Sequence, residues 1–156
     1  MASYCSVSGI ASGIFEDLGN PSDISVTSIS SWIRNNIGQL NNQIFTNYGI
    51  TGDLFINDTC PDDEEKVLIN KNYNIYYYGK VISSNLGASA FSAVQEIDSD
   101  GGKVKMINKT ELAKIYKDLK KQEYDELNKL INDYRLKNSS PQVVHGDDTE
   151  TEEYNS

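Results

Sequence analysis

The chain has 156 residues with a formal net charge of −9, 38% hydrophobic and 10% aromatic residues. That length fits one domain with one modest core. The acidity argues against nonspecific duplex DNA or an anionic membrane as the main partner, because both attract cations. No apolar run approaches eighteen residues and no charged n-region precedes an apolar stretch, so the chain is expected neither to span a membrane nor to carry a signal peptide.

Ser6 or Ser8 can cap a short first helix with Ile10, Ile14, Phe15 and Leu18 on one side and Gly19 at its end. Gly9 and Gly13 weaken it. After the turn-rich Asn20-Pro21-Ser22-Asp23, a second helix is expected to start near Thr27 or Ser28. Ile29, Trp32, Ile33, Ile37, Leu40, Ile44 and Tyr48 follow at helical spacing, and Gly49 stands where a left-handed cap belongs. The opposite face is Asn, Gln and Ser with Arg34 as its only charge, and is read as solvent-facing.

Residues 50–60 read as a loop. Pro61-Asp62-Asp63-Glu64-Glu65 opens a third helix, with Asp62 and Glu65 at capping-box spacing and acids where the macrodipole favours them. Its apolar face is Val67, Leu68, Ile75, Tyr78, Ile82 and Leu86. Tyr76, Tyr77 and Tyr78 run around the helix, so at least one ring must face away from the local core. A β-hairpin is expected near 91–107, with strands over 91–97 and 103–107 and Asp98-Ser99-Asp100-Gly101-Gly102 as its turn. That turn begins like a calcium loop but has Gly102 where the third ligand should stand, so no metal site is assigned.

The fourth element is a long helix, from a cap at Asn108 with Glu111 three residues on, to Lys137. Leu112, Tyr116, Leu119, Glu123, Leu127, Ile131 and Tyr134 form a stripe that Ile115 and Leu130 widen. At about 43 Å it is too long to be covered within so small a chain, and part of the stripe is expected to await a partner. Lys114–Asp118, Asp125–Lys129 and Asp133–Lys137 are spaced for pairing along it. Its mildly basic face could meet acids of the 53–65 segment or of the terminus on a neighbouring copy, and unlike patches joined head to tail give rings when the rotation closes. Beyond it, 139–156 reads as an extended acidic tail in which Pro141-Gln142-Val143-Val144 could add to a sheet edge.

The expected fold is therefore mainly α: a helical bundle over 1–138 with one β-hairpin and a long C-terminal helix, followed by the tail. Cys5 and Cys60 are too few for a disulfide framework and read as free thiols of a reducing cytosol. The single histidine, His145, lies in the tail, which defeats a preorganised triad, and no glycine-rich phosphate loop precedes a helix. No catalytic residue, cofactor or metal is assigned, and the chain is expected not to be an enzyme.

The order of parts is familiar: a Tyr4-Cys5-Ser6-Val7 start, a helix opening Val26-Thr27-Ser28-Ile29-Ser30-Ser31-Trp32-Ile33, and a tyrosine-rich middle helix. A hairpin with Val94-Gln95-Glu96-Ile97 and Gly102-Lys103-Val104-Lys105-Met106 follows, then a lysine-rich helix ending Ile131-Asn132-Asp133-Tyr134-Arg135 and the tail Pro141-Gln142-Val143-Val144-His145-Gly146. This arrangement resembles the head–tail connector adaptors of long-tailed bacteriophages. The resemblance implies a virion neck protein, assembled in the host cytoplasm as a ring of about twelve copies between the portal and a head-closure or tail-terminator protein. DNA would pass its lumen unread. Tyr116, Tyr124 and Tyr134, with Pro141, Gln142, Val143, Val144, His145 and Gly146, are the partner-binding residues it implies. Another neck or tail component, or a small cytosolic helical interaction module, are the alternatives.

Overall fold

The computed structural model describes residues 5–56, 59–89, 96–99, 102–105 and 109–139. Four helices, α1 (Val7–Asp17), α2 (Val26–Ile44), α3 (Asp63–Ser89) and α4 (Lys109–Ser139), dominate it. A two-residue antiparallel pair, β1 (Ile50–Thr51) and β2 (Leu54–Phe55), sits between α2 and α3, and a hairpin, β3 (Glu96–Ser99) and β4 (Gly102–Lys105), joins α3 to α4. The mainly helical class and the long C-terminal helix are as expected. Of the extended tail expected over 139–156, residue 139 closes α4 and the remainder lies outside the described residues.

The first three helices start where a side chain serves their free N–H groups. Ser6 Oγ accepts from Gly9 N at 3.0 Å. The second helix starts slightly earlier than expected, at Val26, because Ser25 and Ser28 bond reciprocally to each other's backbone at 3.2 and 3.0 Å. Asp62 and Glu65 form the capping box their spacing announced, both bonds being 2.8 Å. Gly19, at φ 79, follows α1 as a left-handed residue.

α2 stops earlier than expected. Phe45, not Gly49, takes the left-handed cap with φ 58, and Asn41 holds the turn by accepting from Tyr48 N and donating to Tyr48 O. Gly49 has a different duty: a Cβ there would lie 2.8 Å from Ile56 Cδ1.

The 50–60 segment is not simply a loop. Its β1–β2 turn docks on the start of α1: Val7 N donates to Asp53 O at 2.8 Å, while Ser8 N and Oγ donate to the Asp53 carboxylate at 2.9 and 2.5 Å. A carboxylate at a helix N-terminus is favourable, and the Ser8 hydroxyl foremost holds its pKa below the ordinary value. The same docking brings Cys5 to Cys60, with Cα atoms 5.5 Å apart, and the two are disulfide-bonded. The free-thiol expectation is thus overturned. Bond formation depends on approach in space across 55 residues, which sequence spacing does not report.

The β3–β4 hairpin is in place with its turn tighter than expected: Asp98 pairs with Lys103 and Ser99 with Gly102. The expected strand residues 91–95 and 106–107 lie outside the described residues.

The core lies between α1, α2 and the first half of α3, where Val7, Ile14, Ile29, Ile33, Leu68 and Tyr73 are almost fully buried. Leu127 and Ile131 add the second half of α4. α3 and α4 run antiparallel as the most extensively packed pair, as Lys137–Glu64 near one end and Tyr116–Tyr78 towards the other require. Most of the stripe of the long helix is laid along α3, since α3, at about 40 Å, is nearly as long as its partner. The part that stays open, as expected of a stripe this long, is Ile115, 55% exposed, and Leu119, 37% exposed.

Candidate functional site

The buried core reaches along α3 as far as Tyr77, with Tyr78 and Val81 packed at its margin. Beyond that level, among the described residues, α3 and the first part of α4 lie against each other as a two-helix arm, with Tyr78 against Tyr116 at 5.9 Å. Lys80, Lys114, Lys117, Lys120 and Lys121 stand on the arm against Glu111 and Asp118. At the other end Asp63 and Glu64 open α3, whereas Asp17 accepts from Asn70 at 2.7 Å partway along that helix and Asp23 accepts from Tyr77 at 3.3 Å at the base of the arm.

The start of α3 carries a shaped surface. A cleft of about 410 Å³ between α1 and α3 is lined by the disulfide, Gly9, Ile10, Gly13, Asp17, Val67 and Asn70. Gly13 leaves open space where a side chain would stand. A second cleft, about 270 Å³ between α3 and α4, shares Val67 and is lined by Glu64, Leu68, Leu130, Asp133, Tyr134 and Lys137. Val67, 45% exposed, is the ridge between them. Lys66 is paired with Asp63 at 3.3 Å and Lys137 with Glu64 at 2.5 Å.

Beneath the second cleft lies a polar anchor that sequence reasoning missed. Glu65, 4% exposed, accepts from Tyr48 Oη at 2.5 Å and Tyr134 Oη at 2.6 Å besides closing its capping box. Burial first, then the Glu65 carboxylate, raises the pKa of both phenols. Of the residues expected to bind partners, Tyr134 is thus engaged inside the subunit. Tyr116 is half-buried against Tyr78 within the arm, and Tyr124 is exposed. Residues 141–146 lie outside the described residues, so only Tyr116 and Tyr124 are placed on or beside a surface.

Tyr124 borders a third cleft, of about 460 Å³ between α2, α3 and α4, with Trp32, Tyr76, Asn128, Asn132 and Arg135. The amide face of α2 contributes here, which corrects its reading as a solvated surface. Buried Asn72 accepts from Gln39 at 3.2 Å and Gln43 at 3.0 Å and returns a bond to Gln43 at 2.7 Å. Tyr76 is the outward ring of the tyrosine triplet, at 45% exposure. Phe45, 79% exposed, lies under the Arg135 guanidinium at 4.8 Å.

The only polar break in the α4 stripe also has its reason. Lys71, half-buried on α3, bonds Glu123 at 3.0 Å and Glu126 at 2.5 Å. The spaced pair Asp133–Lys137 is replaced by the interhelix pair with Glu64.

No helix among the described residues is long and apolar enough to cross a membrane, and no group of three His, Cys, Asp or Glu there could hold a metal ion. No family model, curated protein or solved structure matches the chain.

Proposed function

We propose that this chain is a structural assembly protein that works by binding copies of itself and adjoining rings, without catalysis. The observation that carries this reading is the arm itself: α3 and α4 continue side by side past the α1–α2 core and leave Ile115, Leu119 and Tyr124 exposed. Apolar side chains left open on a projecting arm, apart from the clefts of the body, suit contacts between neighbouring subunits.

The place we propose for it is the neck of a long-tailed phage virion, on the resemblance in the order of its parts to head–tail connector adaptors. It would form a ring between the portal and a head-closure or tail-terminator protein. Net negative charge suits a bore through which DNA slides, because a repulsive wall does not hold the duplex. Electron microscopy of the full chain mixed with the portal ring of its virus tests this. A ring of this protein stacked on the portal is the expected result; a portal left bare at saturating protein would overturn the neck assignment.

A further inference from the structure

We infer that the cleft between α2, α3 and α4 binds a neutral saccharide, with the rings of Trp32, Tyr76 and Tyr124 against the sugar faces and the cleft amides on its hydroxyls. The inference goes beyond the assembly reading and does not rest on it.

The cleft, of about 460 Å³, has the size of a small-molecule site, about 300–1,000 Å³. Its α4 wall departs from the rest of that helix. α4 is rich in Lys, Asp and Glu, yet the residues that line the cleft are Tyr124, Asn128 and Asn132, spaced to share one face. The facing row on α2 is Trp32, Asn36, Gln39 and Gln43, again without charge. Among the described residues that line the cleft, Arg135 alone is charged, and it is already engaged. Its Nε donates to Gln43 O at 2.7 Å and its guanidinium lies over Phe45.

Two of the rings are held in place from behind. Trp32 and Tyr76 lie 5.7 Å apart, and buried Tyr73 touches both, at 5.2 Å from Trp32 and 5.8 Å from Tyr76. Rings fixed in this way lose little freedom when a ligand settles on them. Tyr76 and Tyr124 are both exposed, so ring surface is open on α3 and on α4. The polar groups are open too. Among the described residues nothing pairs with the Trp32 indole N–H, the Asn128 and Asn132 amides or the Tyr124 hydroxyl.

This lining selects the chemistry of the ligand. An apolar molecule would strip water from the amides and leave them unpaired. A phosphate-bearing one would meet a single engaged guanidinium in a chain of net charge −9. An amide offers a donor and an acceptor side by side, which matches a hydroxyl that both donates and accepts. The C–H face of a pyranose in turn suits the electron-rich face of an aromatic ring. A neutral saccharide satisfies both sets of groups at once.

Trp32 is the only tryptophan in the chain, so its emission reports on the cleft directly. The full chain is titrated with maltotriose, cellotriose, chitotriose and lactose, each to about 10 mM. At least one should change the emission saturably, with a midpoint at or below about 1 mM. Tyr124→Ala, and Asn128→Ala with Asn132→Ala, should each weaken that binding about tenfold or more, whereas Tyr124→Phe keeps the ring and should weaken it less. These positions are exposed, so circular dichroism should show the wild-type fold. Should a variant fail to fold, the side-chain amide signals of Asn128 and Asn132 in the NMR spectrum of wild type must shift on titration. An emission that stays flat with all four sugars overturns the inference. So does sugar binding that the variants leave unchanged, or a response to a proline-rich peptide or a single-stranded oligonucleotide and to no sugar. The portal experiment decides the neck assignment whichever result is found.

Discussion

Tyr134 on α4 donates its hydroxyl to Glu65 at the start of α3, 2.6 Å away and 69 residues apart in sequence. Tyr48 donates to the other oxygen of the same carboxylate. One side chain thereby joins the cap of α3, the turn after α2 and the far end of α4. Replacing Glu65 with Ala removes an acceptor from two half-buried phenols and opens the capping box. The expected loss is about 3 kcal/mol of unfolding free energy, read from urea denaturation. Tyr134→Phe removes one of these bonds and should cost about 1 kcal/mol.

The tyrosines make the fold sensitive to alkali. Burial, followed by nearby Tyr76 for Tyr73 and Asp23 for Tyr77, pushes these two phenols up to about 12. Tyr48 and Tyr134 are raised as well, by burial and then by Glu65. A pKa raised on folding gives stability that is whole below the unfolded value, about 10, and is lost as pH rises towards the folded value. Lys71 has the same sign: burial lowers its pKa, but its bonds to Glu126 and Glu123 outweigh that. Absorbance of phenolate against pH should show a group of tyrosines that ionises above the ordinary phenol value and together with unfolding. A single transition near the ordinary value would contradict the packing described.

Asp53 governs the acid limb. Its lowered pKa contributes stability above the unfolded carboxylate value that disappears as pH falls through the folded one. Asp53→Asn should flatten the thermal midpoint between pH 5 and pH 3 relative to wild type, by about the span over which an Asp titrates. An unchanged acid profile would show that the β1–β2 turn does not hold α1 through this carboxylate.

The Cys5–Cys60 bond closes a loop of 55 residues. On chain entropy alone such a link is worth about 4 kcal/mol, with about 2 kcal/mol a common yield. Thermal unfolding with and without a reductant should therefore differ by several degrees, with the reduced form the less stable. Equal midpoints would mean that the cysteines are not linked in solution.

Lys71→Met tests the polar break of the α4 stripe. Glu123, 17% exposed, and Glu126 would then face an apolar neighbour without a cation. The loss assigned to Glu123 is about 1 kcal/mol at neutral pH, and it should shrink in acid as the carboxylates protonate. A loss that does not change with pH would place the cost in packing instead.

Much of this architecture is written in local patterns. The spacing of Asp62 and Glu65 announced a capping box, and the period of Leu127, Ile131 and Tyr134 announced the buried side of α4. Patterns of this kind report only what a residue does to its near neighbours. The Ser25–Ser28 box escaped notice because a serine replaces the usual Glu or Gln, and Gly49 seemed a better left-handed cap than Phe45. Glu65 was legible as a cap residue, but its phenol partners come from 17 residues before and 69 after. The disulfide and the buried Asn72 cluster were hidden for the same reason, since both exist only once separate elements have docked. The arm was half legible: the length of α4 was plain, whereas the equal reach of α3 beside it was not.

The most direct test of the central claim is sedimentation velocity of the oxidised full chain from micromolar to millimolar concentration at low and at high salt. A structural subunit that binds copies of itself should gain mass with concentration. A species of monomer mass under every condition would contradict the account.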